Sequence, residues 1–260
     1  MAAPLSSHSV RLFKEKLAQV VERTPLEDWG SENWNGLLDE INEEVLNDAF
    51  KQYAFVRRLF SNIGPLIERP CKTMARIEKK RPIEREKGKY FPVLCDFMSI
   101  RVNCKVSEIE EKIDRIKETV LHNGGKMYVR GTSDQLPYGF FMGRERVYTD
   151  ITQYVYIFLP KVGYPVEFQI GHEFASYAFT VSSAIRDGVG AGKADLWREN
   201  FYEDVKRHIL DQANGSRSSV TRETIEDKAY RIHEDNIPAD LQGILNRIWG
   251  KNLPTESKTD

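Results

Sequence analysis

The fold depends on the stretch Phe91-Pro-Val-Leu-Cys-Asp-Phe-Met-Ser-Ile-Arg-Val-Asn-Cys104, which is apolar, rich in β-forming residues and charged only at Asp96 and Arg101. Apolar residues occupy both the odd-numbered and the even-numbered positions of the stretch, which is typical of a strand covered on both faces. A carboxylate in such a strand is costly unless a cation or metal ion compensates it. The stretch therefore predicts a central strand, with Asp96 as the first candidate for chemistry.

The composition favours a globular protein over a nucleic-acid or membrane protein. The 260 residues are 40% hydrophobic and 30% charged, which suffices for a substantial core in one domain with appended helices. A formal net charge of −1 disfavours nucleic acid as a partner. The three cysteines are too few and odd in number for a disulfide framework, and they show no metal-ligand spacing. Because the sequence has no apolar signal region and no membrane-length apolar run, we expect a cytoplasmic protein with no membrane partner.

The hydrophobic pattern predicts an α+β fold, with a mixed, largely antiparallel β-sheet of about five strands flanked by helices. Helical periodicity covers about residues 10–67, where Ser31 or Asn33 is a candidate cap, and it returns after His172. Ser107-x-x-Glu110 reads as a capping box for a helix over 108–121. We divide the chain into an N-terminal helical region (1–66), an α+β core (67–192), C-terminal helices (193–250) and a polar tail (251–260).

Three further strands are predicted after that helix, at 126–130, 151–159 and 165–171, and the last two are of hairpin spacing. In the final strand Glu167 and Gln169 share one face, and apolar residues share the other. A lone glutamate on a strand is typical of a protein surface, but here the strand lies between apolar elements. Glu167 is thus a second isolated acid on a second strand.

Residues 69–89 form the most basic segment, with nine Lys or Arg against three Glu. If Pro70 opens a helix, four cations project from one face in a row suited to a chain of phosphates. These cations are Arg69, Lys72, Arg76 and Lys79. The alternative interpretation is a solvated, charged helix without a ligand.

Two acids on separate strands, a row of cations and a glycine-containing loop at 131–146 are the parts that hold Mg²⁺ and a polyphosphate. The chain has no Walker A motif and no protein-kinase motif set, which excludes the common NTPase and kinase frameworks. The composition alone leaves the transferred group open.

Four segments in order resemble the motif series of the RelA/SpoT synthetase domain, whose members transfer pyrophosphate from ATP to the 3′-hydroxyl of a guanosine nucleotide. The family patterns are Arg-x-Lys-x3-Ser-x2-Lys, Asp-x-x-Gly-x-Arg, Tyr-x-Ser-x-His and Val-Glu-Ile-Gln-x-Arg-Thr. The matching segments cover about residues 66–175 and are Lys72-Thr-Met-Ala-Arg-Ile-Glu-Lys79, Asp96-Phe-Met-Ser-Ile-Arg101, Tyr148 before a strand, and Val166-Glu-Phe-Gln-Ile170.

The resemblance implies a synthetase-like or nucleotidyltransferase-like core at 67–192 and a role for each matching residue. Lys72 and Lys79 would bind the phosphates of the donor ATP, with added contacts from the neighbouring Arg69 and Arg76. Asp96 would hold Mg²⁺, and Glu167 would assist the metal ion or activate the attacking hydroxyl. Arg101 would be the arginine of the second motif, Tyr148 would stack on the acceptor base, and Gln169 would support the acceptor side.

Several positions depart from the family patterns, most of them on the acceptor side. Pro70 stands at the first arginine and Ser99 at the glycine. Asp150 and Thr152 replace the serine and histidine, and Gly171-His172 replaces Arg-Thr. A guanine, an adenine or an RNA 3′ end is therefore left open as the acceptor.

Three functions follow from this pattern. The first is Mg²⁺-dependent pyrophosphate transfer from ATP to a purine nucleotide. The second is a toxin-like activity on tRNA 3′ ends, which the net charge disfavours. The third is a catalytically silent module that binds a nucleotide or a partner.

An apolar patch at helical spacing indicates packing or contact between copies in a homo-oligomer. It consists of Trp197, Phe201, Tyr202 and Val205.

Overall fold

The computed structural model describes residues 7–23, 37, 39–68, 73–75, 77–78, 98–130, 150–178, 201–225 and 239–249. Its principal helices are α1 (His8–Arg23), α2 (Glu43–Leu59), α3 (Ile109–His122), α4 (Glu203–Ala213) and α5 (Ala239–Ile248). Its strands are β1 (Leu66–Glu68), β2 (Met98–Asn103), β3 (Lys126–Arg130), β4 (Thr152–Phe158) and β5 (Pro165–Gly171). The predicted α+β class is therefore confirmed.

The five strands form one mixed sheet in the order β1-β2-β5-β4-β3. The outer pairs β1–β2 and β3–β4 are antiparallel. β4 and β5 form a hairpin, because the amide of His172 donates to the carbonyl of Ile151 (2.9 Å) just beyond their open ends. β2 and β5 run parallel. Ser99 binds Glu167 and Arg101 binds Gln169, so the residue numbers of the two strands increase in the same direction.

The apolar face of the two central strands packs against α2 and the turn that follows it. Phe60, at the end of α2, meets Phe168 of β5 edge to face at 4.9 Å between ring centroids. Tyr53 of α2 donates its hydroxyl to the backbone carbonyl of Ser99 in β2. These contacts fix the centre of the sheet from one side.

Two more helices complete this layer. α1 lies against α2, where Lys14 forms an ion pair with Asp48 (2.6 Å) and Ser9 donates to Glu44. The apolar stripe of α3 is buried, as the sequence predicted, and consists of Ile109, Ile113, Ile116 and Val120. The guanidinium of Arg115 in α3 donates to the carbonyl of Asn62 (3.1 Å).

Three local predictions were wrong. α2 is capped by Asn42, whose side chain accepts from the amide of Val45, and not by Ser31 or Asn33. The Ser107 capping box does not form, because a 3-10 turn at Val106–Glu108 leads into α3 and makes Glu108 the cap residue. Residues 66–67 belong to β1, since pairing with β2 overrides the helical spacing.

Of the described residues, those before Cys104, those in 108–130 and those in 153–170 form one compact unit, and the others form a second. The first unit contains α1–α3 and most of the sheet. The second contains the helical residues 173–178, α4 and α5, with Phe174 stacked on Tyr202 at 5.8 Å. The division of the sequence into four segments stays a prediction. Among the helices described, none has the length and apolar character needed to span a bilayer.

Candidate functional site

A row of four polar side chains crosses the two parallel central strands of the first unit. Ser99 and Arg101 of β2 point to the same face as Glu167 and Gln169 of β5, since residues two apart on a strand share a face. Met98, Ile100, Phe168 and Ile170 occupy the opposite, buried face. We call Ser99, Arg101, Glu167 and Gln169 the polar row.

Three hydrogen bonds connect the polar row from end to end. The hydroxyl of Ser99 donates to Glu167 Oε1 (3.0 Å), and Gln169 Nε2 donates to the same oxygen (2.6 Å). Arg101 Nη2 donates to Gln169 Oε1 (3.1 Å). Glu167 is only 6% exposed, so these bonds offset the cost of removing its carboxylate from water.

The charges at the two ends fix the orientation of the Gln169 amide. Its oxygen faces the Arg101 guanidinium, which only donates, and its nitrogen faces the Glu167 carboxylate. The reversed amide would oppose an oxygen to the carboxylate and an NH₂ to the guanidinium. Gln169 therefore connects the Arg101 guanidinium of β2 to the Glu167 carboxylate of β5.

Tyrosines lie beside the polar row on the same face. The hairpin register places Tyr156 of β4 opposite Glu167, and Tyr128 of β3 pairs with Tyr156. The two rings are stacked at 6.3 Å between centroids with an interplanar angle of 17°. Tyr156 is buried and Tyr128 is partly exposed, so within this pair Tyr128 is the ring that could stack on a planar base near the carboxylate.

The structure brings together three of the predicted site residues, namely Arg101, Glu167 and Gln169. The predicted residues Asp96, Arg69, Lys72, Arg76, Lys79 and Tyr148 lie outside the described residues. Sequence reasoning missed Ser99 as a contact of Glu167 and missed the pair of tyrosines. The alternation of β2 contained the signal for Ser99, but only the parallel register shows which residue it meets.

One residue at the positions of the third motif, Asp150, binds the backbone within the second unit. The carboxylate of Asp150 accepts from the amide of Ile151 (2.7 Å). Burial raises the pKa of Asp150 above its usual range, and the ammonium of Lys206 opposes that shift. Asp150 therefore binds the backbone just before β4, at a position where the family pattern has a serine.

The carboxylates that the structure describes do not form a ready-made metal centre. No group of three or more His, Cys, Asp and Glu side chains is found within the described part of the chain. A Mg²⁺ ion bound with a nucleotide needs only one or two carboxylates, because phosphate oxygens and water supply the other ligands. Glu167 fits that requirement as a single hard-oxygen ligand.

Comparisons with protein-family models, with curated proteins and with solved structures found no match to this chain. The likeness to the RelA/SpoT synthetase domain stays a prediction that rests on the order and spacing of its motifs.

Proposed function

We propose that the chain transfers a pyrophosphoryl group from ATP to the 3′-hydroxyl of a purine nucleotide in a Mg²⁺-dependent reaction. The observation that carries the proposal is Glu167, a buried carboxylate held by Ser99 and Gln169 next to a pair of stacked tyrosines. The ordered motif series supports the same reaction.

In this reaction the 3′-oxygen of the acceptor forms a bond to the β-phosphorus of ATP. The bond from that phosphorus to the oxygen shared with the α-phosphorus breaks, and AMP leaves with the electron pair. Glu167 accepts the proton of the 3′-hydroxyl, and its burial limits competition by water. Asp96 and Glu167 would hold Mg²⁺, which supplies positive charge to the phosphate oxygens.

The test is incubation of the chain with ATP, Mg²⁺ and each of GDP, GTP, ADP, ATP and tRNA as acceptor, followed by anion-exchange chromatography of the nucleotides and gel electrophoresis of the tRNA. We expect a product with two added phosphates and equimolar AMP. Glu167→Gln should lower the rate by about 10² to 10⁴, because the amide cannot accept the proton. Glu118→Gln on the exposed surface of α3 is the matched control and should retain the wild-type rate.

Three outcomes would contradict the proposal. If nucleotides raise the melting temperature without turnover, the chain is the silent binding module. If product forms only on a tRNA 3′ end, the acceptor is RNA. If Glu167→Gln and Glu118→Gln are equally active, the polar row is not the reaction site.

A further inference from the structure

Both hydrogen bonds that Glu167 receives from described residues end on the same carboxylate oxygen. Ser99 donates to Oε1 from the neighbouring strand, and Gln169 donates to it from two residues along β5. Ser99, Glu167 and Gln169 are each 5–6% exposed, so water competes weakly for these bonds. Two donors on one oxygen hold the carboxylate plane and direct Oε2 to any further ligand.

The two donors are themselves held in place. Ser99 has its carbonyl bound by Tyr53 of α2, and its neighbours Met98 and Ile100 are fully buried on the other face. Arg101 fixes Gln169 by binding the amide oxygen. Donors that are fixed before a ligand arrives need no rearrangement when charge develops at the site.

We infer that Ser99 is a positioning residue, which orients Glu167 so that Oε2 meets the metal ion or the 3′-hydroxyl; this role rests on the proposed function. The family pattern has glycine at this position, so the hydroxyl is a feature of this chain. Arg101 supports the same orientation through its hydrogen bond to Gln169. A hydrogen bond from a neutral donor to a carboxylate is among the stronger ones in proteins, which makes its loss measurable.

The kinetic test compares Ser99→Ala with Ser99→Thr, which keeps the hydroxyl. We expect Ser99→Ala to lower kcat about tenfold while the KM for ATP changes less than about twofold, because the carboxylate loses orientation and ATP keeps its own contacts. Ser99→Thr should recover most of kcat. Ser61→Ala, which removes an exposed hydroxyl bound to the carbonyl of Arg58, is the control and should be unchanged. An unaltered kcat in Ser99→Ala, or no recovery in Ser99→Thr, would overturn the inference.

A second test uses equilibrium unfolding and needs no activity. We expect Ser99→Ala to lower the folding equilibrium constant about tenfold in the wild-type chain and less than about threefold in the Glu167→Leu background, where the serine has no carboxylate to bind. If Glu167→Leu does not fold, Glu167→Gln replaces it, with an expected loss of about threefold because a neutral acceptor binds more weakly.

The two tests separate the two proposals. A wild-type chain that forms no product contradicts the proposed function, while the unfolding cycle still measures the coupling of Ser99 to Glu167. Equal losses in both backgrounds overturn the positioning role even if the chain is an active enzyme.

Discussion

Gly171 lies at the end of β5, where the backbone of the preceding segment leaves no room for a side chain. A Cβ at this position would lie 2.2 Å from the carbonyl oxygen of Ile151 and 2.8 Å from Thr152 Cα. Both atoms belong to the backbone, which cannot move aside as a flexible side chain can. The arginine that the fourth family motif has here therefore cannot be accommodated without a shift of residues 151–152.

Gly171→Ala should destabilise the protein by about 3 kcal/mol, since overpacking against backbone forces a displacement. The measurement is urea-induced unfolding followed by circular dichroism. Gly243→Ala in α5 is the control, because among the described residues its Cβ would approach only Arg247 Nη1, at 3.5 Å. That control should be stabilised by about 1 kcal/mol from helix propensity. Equal effects of the two substitutions would show that the end of β5 is more adaptable than its contacts indicate.

Individual residues also show how far the sequence could predict the site. Glu167 and Gln169 were predicted to share a face, because alternation along one strand is a local property. Their burial, and the contact of Glu167 with Ser99, were not predictable. Both depend on the register between strands that lie 68 residues apart, and periodicity contains no information on register.

At the scale of elements, the hydrophobic pattern predicted helices and strands of five or more residues well and three-residue elements poorly. The bounds predicted for β3 and β5 are the observed ones, and α3 differs by one residue at each end. β1 was missed because three residues show no period, and only its partner strand reveals it. The three-residue 3-10 turn before α3 is likewise too short to show a period. It replaces the capping box that was expected at Ser107.

The contact of α4 with the residue after α5 predicts a pH dependence of stability. His208 of α4 is buried and stacks on Trp249 with ring centroids 4.1 Å apart. Burial lowers the pKa of His208 below its usual 6.5, against the opposing effects of the Val220 backbone and the Asp211 carboxylate. As the pH falls, the unfolded chain therefore binds the proton before the folded chain does. The contribution of neutral His208 to the free energy of unfolding is fully present above about pH 6.5 and is lost as the pH falls below it.

His208→Phe should keep the stack on Trp249 and remove this titration. We expect the free energy of unfolding of the wild type to fall more than that of the variant between about pH 7.5 and about pH 5.5. Urea unfolding at both pH values measures the difference. A residual slope should remain in the variant, because burial also lowers the pKa of His172. Parallel pH profiles for the two proteins would be evidence that His208 does not titrate in this range.

At the scale of the whole molecule, the proposed function requires residues far apart in sequence to reach one place. The parallel pairing of β2 with β5 does this for Arg101 and Glu167, although they are 66 residues apart. The long β2–β5 connection contains α3, β3 and β4, as a parallel pair requires a crossover. The sequence predicted these elements, but not that the two strands would be neighbours.

The last prediction concerns Asp96 and Glu167 as joint ligands of one ion. In β2 the odd-numbered Ser99 and Arg101 face Glu167, and the even-numbered Met98 and Ile100 face the core. A regular continuation of that alternation would direct Asp96 to the core face. An ion shared with Glu167 therefore requires a break in the alternation between Asp96 and Met98, such as a β-bulge.

We expect Mn²⁺ with a non-hydrolysable ATP analogue to broaden the NMR signals of the polar row, and Asp96→Asn to weaken Mn²⁺ binding about tenfold or more. Asp114→Asn on the exposed face of α3 is the charge-matched control and should bind Mn²⁺ as the wild type does. Broadening of the polar row that persists unchanged in Asp96→Asn would leave Glu167 as a metal ligand and remove Asp96 from the proposed site.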